Sequence, residues 1–209
     1  MRKTGTQPSS DFLLSAVISR SRPSRYNGGV PFTIRDFQAA DFDLLWRIDQ
    51  ECFSPGISYS RAELRSYMRR RGSFTLVATT LVATGDAGPI VADADTGKSE
   101  KCSSAIASSP GVVGGFIVAE ADSRASGHIV TIDVVRTARR SGVGSLLLRA
   151  AEDRLRSAHC GSVELETAVD NLSALSFYKR HGYSVVRMFP RYYSNGVDAL
   201  VLEKDLVGE

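Results

Sequence analysis

The apolar positions of this chain recur in two patterns, short β-rich runs and stripes with helical spacing. The runs predict strands near 31–35, 74–82, 114–120, 128–135, 163–169, 183–188 and 199–206. Apolar residues three or four apart predict helices over 41–49, 142–159 and 172–180, and a capping-box sequence predicts one more that opens at Ser60. The order β–α–α–β–β–β–α–β–α–β–β predicts one mixed-sheet α/β domain without internal repeats.

Two stretches lack this patterning. Residues 1–29 are rich in Ser, Arg and Gly and nearly free of acid, which predicts a flexible basic tail, with an organellar transit peptide as the alternative. Residues 84–111 consist mostly of small and polar residues without any aromatic side chain, which predicts a mobile loop. The single domain is therefore expected to span residues 30–207.

Charge and composition narrow the class of partner. The chain has a net charge of +3, and the tail accounts for its excess of basic residues, so the domain has no charge footprint for nucleic acid. No apolar stretch approaches the ~20 residues needed to cross a membrane. The three cysteines and three histidines are scattered without metal-ligand spacing. We therefore expect a cytoplasmic protein with reduced thiols and without a metal, nucleic-acid or membrane site.

The most informative segment follows the strand that ends near Val135. Arg139 and Arg140 precede Gly142 and Gly144, and a helix begins at once. The first turn of a helix offers unpaired N–H groups and the positive end of the dipole, and glycines let an anion approach the backbone closely. A dinucleotide fingerprint and a P-loop both require residues that are absent here. The spacing indicates a phosphate-binding turn, and a turn that merely connects strand and helix is the alternative.

The turn resembles the acetyl-CoA pyrophosphate loop of the GNAT N-acetyltransferases, Arg/Gln-x-x-Gly-x-Gly/Ala after the fourth strand. The resemblance extends over residues 30–207 apart from the 84–111 loop, and implies the GNAT fold, a mixed central sheet of about seven strands flanked by about four helices. It also implies acetyl-CoA as cosubstrate and no metal.

The C-terminal third narrows the resemblance. The pattern Asn171-x-x-Ala174-x-x-x-Tyr178-x-x-x-Gly182-Tyr183 resembles the RimI-type branch, which acetylates ribosomal-protein N-termini. The segment 190–199 is similar to the last hairpin of protein N-terminal acetyltransferases. The resemblance implies that a protein or peptide N-terminus is the substrate, with a ribosomal protein among the candidates.

The family pattern assigns roles to individual residues. Glu166 matches the general base, with Glu164 in reserve, and Tyr178 matches the general acid that assists the departing thiolate. The implied cofactor contacts are Ile132, Asp133, Val134, Arg139, Arg140, Ser141, Gly142, Val143, Gly144, Ser145 and Asn171. A backbone N–H near Val134 would hold the thioester oxygen.

Some of these residues have a second interpretation. Asn171 is also a good helix N-cap, and Glu166 could equally be a strand glutamate on a solvated face. Asp133 either faces the other side of the sheet or helps to receive a cationic amine.

The implied acceptor-binding residues are Phe53, Tyr59, Tyr192 and Tyr193. Adjacent residues of a strand point to opposite faces, so at most one of Tyr192 and Tyr193 is expected to line the groove. Because no cysteine matches a nucleophile position, we expect direct transfer to an α-amine. Transfer to lysine or a small-molecule amine, and a non-catalytic acetyl-CoA-binding module, stay open as alternatives, and so does the oligomeric state.

Overall fold

The computed structural model describes residues 31–80, 111–122 and 124–207. The predicted tail at 1–29 lies outside these ranges, and so does the predicted loop at 84–111 apart from Gly111. The elements are β1 (Phe32–Asp36), α1 (Phe42–Cys52), α2 (Arg61–Met68), β2 (Ser73–Thr80), β3 (Val113–Ala121), β4 (Ser126–Val134), α3 (Val143–Ser157), β5 (Ser162–Ala168), α4 (Leu172–Arg180), β6 (Ser184–Phe189) and β7 (Ala199–Asp205). Their order is the predicted one.

All seven strands join one sheet in the order β1-β2-β3-β4-β5-β7-β6. Only β4 and β5 pair in parallel among the described strands, so the sheet is mixed, as predicted. A parallel pair needs a crossover connection, and α3 provides it. Among the described residues, no helix has the length and apolar character needed to cross a membrane.

Two apolar layers cover the faces of the sheet. One layer buries Leu147 and Leu155 of α3 and Tyr178 of α4 against the sheet. The other packs Leu45 of α1 and Leu64 of α2 against the opposite face. Burial of these side chains stabilises the layers by about 1.5–3 kcal/mol for each large apolar residue.

Local sequence signals fix the start of two helices beside the central cleft. The Ser60 hydroxyl accepts a hydrogen bond from the Glu63 N–H at 3.3 Å, and the Glu63 carboxylate accepts one from the Ser60 N–H, which completes the predicted capping box. The Asn171 side chain accepts from the Ala174 N–H at 3.1 Å, so its N-cap interpretation is confirmed.

A β-bulge in β4 opens the sheet at its centre. Thr131 pairs with Val118 and Ile129 with Ala119, so Val130 is the extra residue. The ladder between β4 and β5 reaches only Ile129 and Leu165, and the two strands then diverge. The bulge also changes which face the later side chains of β4 occupy, a change that simple alternation along the sequence does not reveal.

Candidate active site

One cavity of about 1120 Å³ fills the cleft where β4 and β5 diverge. It extends from the turn before α3, past the ends of the two strands, to the α1–α2 and β6–β7 loops. This volume slightly exceeds the usual range of ligand pockets, so a large cosubstrate and part of an acceptor fit together. The cavity therefore offers one continuous path between an anion-binding end and an acceptor end.

The anion-binding end is built by the glycine turn. Gly142 is the N-cap of α3 and has φ +85°, a left-handed conformation that favours glycine. Gly144 and Ser145 of the first turn of α3 line the cavity, so the unpaired N–H groups of this helix end lie beside it. Arg139 and Arg140 line it too, so a pyrophosphate would meet both backbone donors and cations.

The exposed edge of β4 forms the middle of the cavity. The Val135 N–H donates to Gly114 in β3, so by alternation the backbone groups of Ile132 and Val134 point towards the gap beside β5. Both residues line the cavity. The Val134 carbonyl accepts a hydrogen bond from Arg139 Nε at 3.0 Å, which ties the glycine turn to the strand end. An extended amide-containing chain could pair with this edge.

Glu166 of β5, which lines the cavity, forms a close pair with His128 of β4, which lies outside the lining. The distance between His128 Nε2 and Glu166 Oε2 is 2.7 Å. Beyond His128, its Nδ1 lies 3.7 Å from Glu120, which in turn accepts a hydrogen bond from Arg70 at 3.2 Å. Glu166 lines the cavity, so its carboxylate is held at the acceptor end by a network of charged side chains.

The environment of His128 favours its charged form. Burial lowers the pKa of His128, but the hydrogen bond to Glu166 and the charges of Glu166, Glu120 and Glu164 outweigh it, so the pKa is raised. His128 was not among the predicted site residues, because its pairing with Glu166 depends on the parallel register of β4 and β5, in which His128 lies beside Glu164. A histidine in a strand that leads into the glycine turn was the only signal.

Glu164, the reserve candidate for the general base, lies outside the cavity. Its carboxylate pairs with Arg187 of β6 at 3.1 Å and is not part of the cavity lining.

Tyr178 of α4 lies against the same cavity and is otherwise buried. Its ring packs edge-on against Phe177 and at a tilt against Tyr183, with centroid distances of 5.2 and 5.5 Å. Burial, with smaller contributions from Asp133 and Tyr193, raises the pKa of Tyr178 far above its ordinary value. The hydroxyl therefore keeps its proton at neutral pH and can donate a hydrogen bond.

All four predicted acceptor residues, Phe53, Tyr59, Tyr192 and Tyr193, line the other end of the cavity. The expectation that only one of the two adjacent tyrosines does so is wrong. Both lie between the end of β6 and the start of β7, so strand alternation does not apply, and their rings are nearly perpendicular at 5.2 Å. The Tyr59 hydroxyl donates to the Val130 carbonyl at 3.2 Å, which anchors the α1–α2 loop to the bulge.

The loops on the two sides of the acceptor end touch. The Ser194 hydroxyl donates to the Gly56 carbonyl at 3.0 Å, which joins the β6–β7 loop to the α1–α2 loop. The opening is therefore bounded by both loops.

Asp133 faces the other side of the sheet, which is the first of its two predicted alternatives, because the bulge turns its side chain towards α1. It is fully buried there, and its Oδ2 accepts a hydrogen bond from the Thr131 hydroxyl at 2.9 Å. Burial, with the nearby charge of Asp49, raises the pKa of Asp133 to about 8. Its side chain does not reach the cavity lining, and neither do Ser141 and Val143.

Cys52, at the end of α1, lies beside the cavity but is a poor nucleophile. Burial and the charge of Asp133 outweigh the contribution of Arg139 and raise its pKa to about 11. The described residues contain no group of three or more His, Cys, Asp or Glu side chains arranged to hold a metal.

Comparison with known proteins places this geometry in a family. Residues 44–183, more than half of the chain, match the model of the acetyltransferase (GNAT) family. The chain belongs to this family. The fold is therefore that of a GNAT domain.

Two individual relatives are named by their activity. The chain is 35% identical over 81 residues to an N-alpha-acetyltransferase of Sulfurisphaera tokodaii, a match that covers 38% of this chain and 48% of that protein. It is 39% identical over 77 residues to N-alpha-acetyltransferase 30 of Homo sapiens, which covers 37% of this chain and 21% of that one. The matched region thus amounts to half or less of these two relatives.

Solved structures extend the similarity over most of the fold. The crystal structure of Ard1 from Thermoplasma volcanium has a TM-score of 0.65 and 28% identity, and the match covers 85% of this chain and 99% of that one. The ribosomal-protein-S18-alanine N-acetyltransferase from Escherichia coli has a TM-score of 0.62 with 16% identity, covering 85% and 96%. The second likeness establishes the shared fold alone.

Proposed function

We propose that this protein transfers the acetyl group of acetyl-CoA directly to the N-terminal α-amine of proteins or peptides. One observation carries the proposal: a single cavity joins the anion-binding turn at Gly142 to the Glu166–His128 pair along the open edge of β4. Cosubstrate and acceptor can thus meet beside a carboxylate. Relatives named as N-alpha-acetyltransferases support this choice of reaction.

The residues of the cavity fit acetyl-CoA along its length. Arg139, Arg140 and the N–H groups of the glycine turn would hold the pyrophosphate. The backbone of Ile132 and Val134 would pair with the amides of the pantetheine arm, and an N–H near Val134 would stabilise the oxyanion. Asn171 lines the same cleft, and its amide nitrogen would contact the arm while its oxygen caps α4.

The chemical step is a direct exchange of bonds. The neutral amine attacks the thioester carbon, the new C–N bond forms, and the C–S bond breaks to release CoA as a thiolate. Glu166 takes the proton that the amine loses, directly or through a water, and His128 holds this carboxylate in place. The Tyr178 hydroxyl would donate a hydrogen bond to the departing sulfur. The raised pKa of Cys52 argues against an acetyl-cysteine intermediate.

The acceptor end favours a chain terminus. The Ser194–Gly56 contact bounds the opening with both loops, so the end of a chain can enter more easily than a point within one. An α-amine, with a pKa near ~8, also loses its proton more readily than lysine, near ~10.4. The RimI-type motifs make a ribosomal-protein N-terminus one candidate acceptor. The scattered thiols suit a reducing, cytoplasmic location.

The test compares two glutamates of the same strand. Wild-type protein, Glu166→Gln and Glu164→Gln are incubated with acetyl-CoA and short peptides that have a free N-terminus, and CoA release is followed. We expect transfer by the wild type, a loss of about 100-fold or more in kcat for Glu166→Gln, and near-normal rates for Glu164→Gln. Equal rates for the two variants would refute the role of Glu166, and the absence of transfer by the wild type would refute the function.

A further inference from the structure

His181, at the end of α4, touches the glycine turn through Ser145. Its Nε2 lies 2.9 Å from the Ser145 hydroxyl, and its Nδ1 lies 2.8 Å from the Phe177 carbonyl. The imidazole also packs on the Phe177 ring with a centroid distance of 4.5 Å. Ser145 is in the first turn of α3 and lines the cavity, so the imidazole is fixed directly behind a hydroxyl of the anion-binding end.

These two contacts determine the directions of the hydrogen bonds. A carbonyl oxygen can only accept, so Nδ1 of His181 carries a hydrogen and donates to Phe177. In the neutral ring Nε2 is then an acceptor, and Ser145 must point its hydrogen at it. When the ring is protonated, Nε2 donates instead, and the Ser145 hydrogen is released to point into the cavity.

We propose that His181 positions the Ser145 hydroxyl for the pyrophosphate of acetyl-CoA, and that protonation of the imidazole strengthens this binding. The inference rests on the proposed function to the extent that it takes acetyl-CoA as the ligand. In the neutral state, Ser145 presents only oxygen lone pairs to the anion. In the protonated state it donates a hydrogen bond, and a positive charge lies behind it.

The charged groups nearest to His181 along the chain are cations. The charged side chains on the turn before α3, on the first two turns of α3 and on the last turn of α4 are all cations: Arg136, Arg139, Arg140, Arg149, Lys179 and Arg180. The neighbouring Tyr178 keeps its proton. The cations hold their charge between pH 5.5 and 8. His128, Asp49 and Asp133 have raised pKa values, so the variants at His181 and Ser145 decide whether a change in anion affinity comes from His181.

The test measures binding of dephospho-CoA by calorimetry at pH 5.5, 6.5 and 8 and constant ionic strength. This ligand keeps the pyrophosphate and lacks the 3′-phosphate, which would itself titrate in this range. We expect the wild type to bind about 3- to 10-fold more tightly at pH 5.5 than at pH 8. His181→Gln and Ser145→Ala should each bind with nearly the same affinity at all three values.

The control is His159→Asn, at an exposed histidine with φ +63° just beyond α3, which should keep the wild-type pH dependence. A wild-type affinity that does not change with pH overturns the inference while leaving the proposed function intact. A pH dependence that persists in both His181→Gln and Ser145→Ala overturns it as well. The absence of binding at every pH overturns both the inference and the acetyl-CoA assignment.

Discussion

Glu166 and His128 form the pair on which the proposed chemistry depends. Their 2.7 Å contact places a carboxylate at the acceptor end of the cavity, and Glu120 holds the histidine from its other side. His128 has its pKa raised in the folded state, so its ion pair stabilises the protein fully below pH ~6.5 and loses that contribution as the pH rises through the raised value. The contribution of His128 to stability is therefore larger in mild acid than at alkaline pH.

The pKa of His128 reports on the interaction between His128 and Glu166. In Glu166→Gln the carboxylate is lost and no longer offsets the effect of burial, so the pKa of His128 should fall. Glu164→Gln should lower it less, because Glu164 acts only through its charge. Proton NMR of the three histidine rings, assigned with His128→Gln, measures this. An unchanged His128 titration in Glu166→Gln would show that the two side chains do not interact in solution.

At the scale of elements, the contact between α1 and β4 contains a buried acidic pair. Asp49 and Asp133 are fully buried, and one carboxylate oxygen of each has no hydrogen-bond partner among the described residues. Burial, partly offset by hydrogen bonds from Tyr59 and Gln50, raises the pKa of Asp49 to about 6, and that of Asp133 reaches about 8. Because both pKa values lie above those of the unfolded chain, this pair favours the folded state in acid and destabilises it as the pH rises towards 8.

Asp133→Asn should remove much of this pH dependence. The amide cannot ionise, so its burial does not become more costly as the pH rises. The free energy of unfolding of the variant and of the wild type is measured by urea titration at pH 5.5 and at pH 8.5. The gain of the variant over the wild type should be larger at pH 8.5 than at pH 5.5, by on the order of 2 kcal/mol. If the variant and the wild type differ in stability by the same amount at both pH values, Asp133 does not become charged in the folded protein within this range.

The strands and helices could be predicted from the sequence, but the bulge in β4 and the positions of some side chains could not. Apolar periodicity, the Ser60 capping box and the glycines at 142 and 144 are local signals, so the strands, the helices and the turn could be predicted. The bulge at Val130 depends on pairing with β3, and it decides which face Asp133 occupies. The two tyrosines both reach the cavity because the strand ends before them, at Phe189.

At the scale of the whole molecule, the proposed function depends on one cavity that connects the anion-binding turn with the acceptor loops. The glycine turn follows β4 and precedes α3, Glu166 lies on β5, and the acceptor residues belong to two loops far apart in sequence. Only the divergence of two parallel strands brings these parts to one cavity. The sequence named most of the residues through its resemblance to the family, but their convergence, and the pairing of Glu166 with His128, required the fold.

The most direct measurement offers the protein two amines at once. A single peptide with a free N-terminus and one internal lysine is incubated with acetyl-CoA, and fragmentation mass spectrometry locates the acetyl group. A second peptide with a blocked N-terminus and the same lysine serves as the control. We expect acetyl on the α-amine of the first peptide and no product from the second. Acetyl on the lysine of the second peptide, or on the lysine of the first peptide with its α-amine left free, would contradict N-terminal transfer.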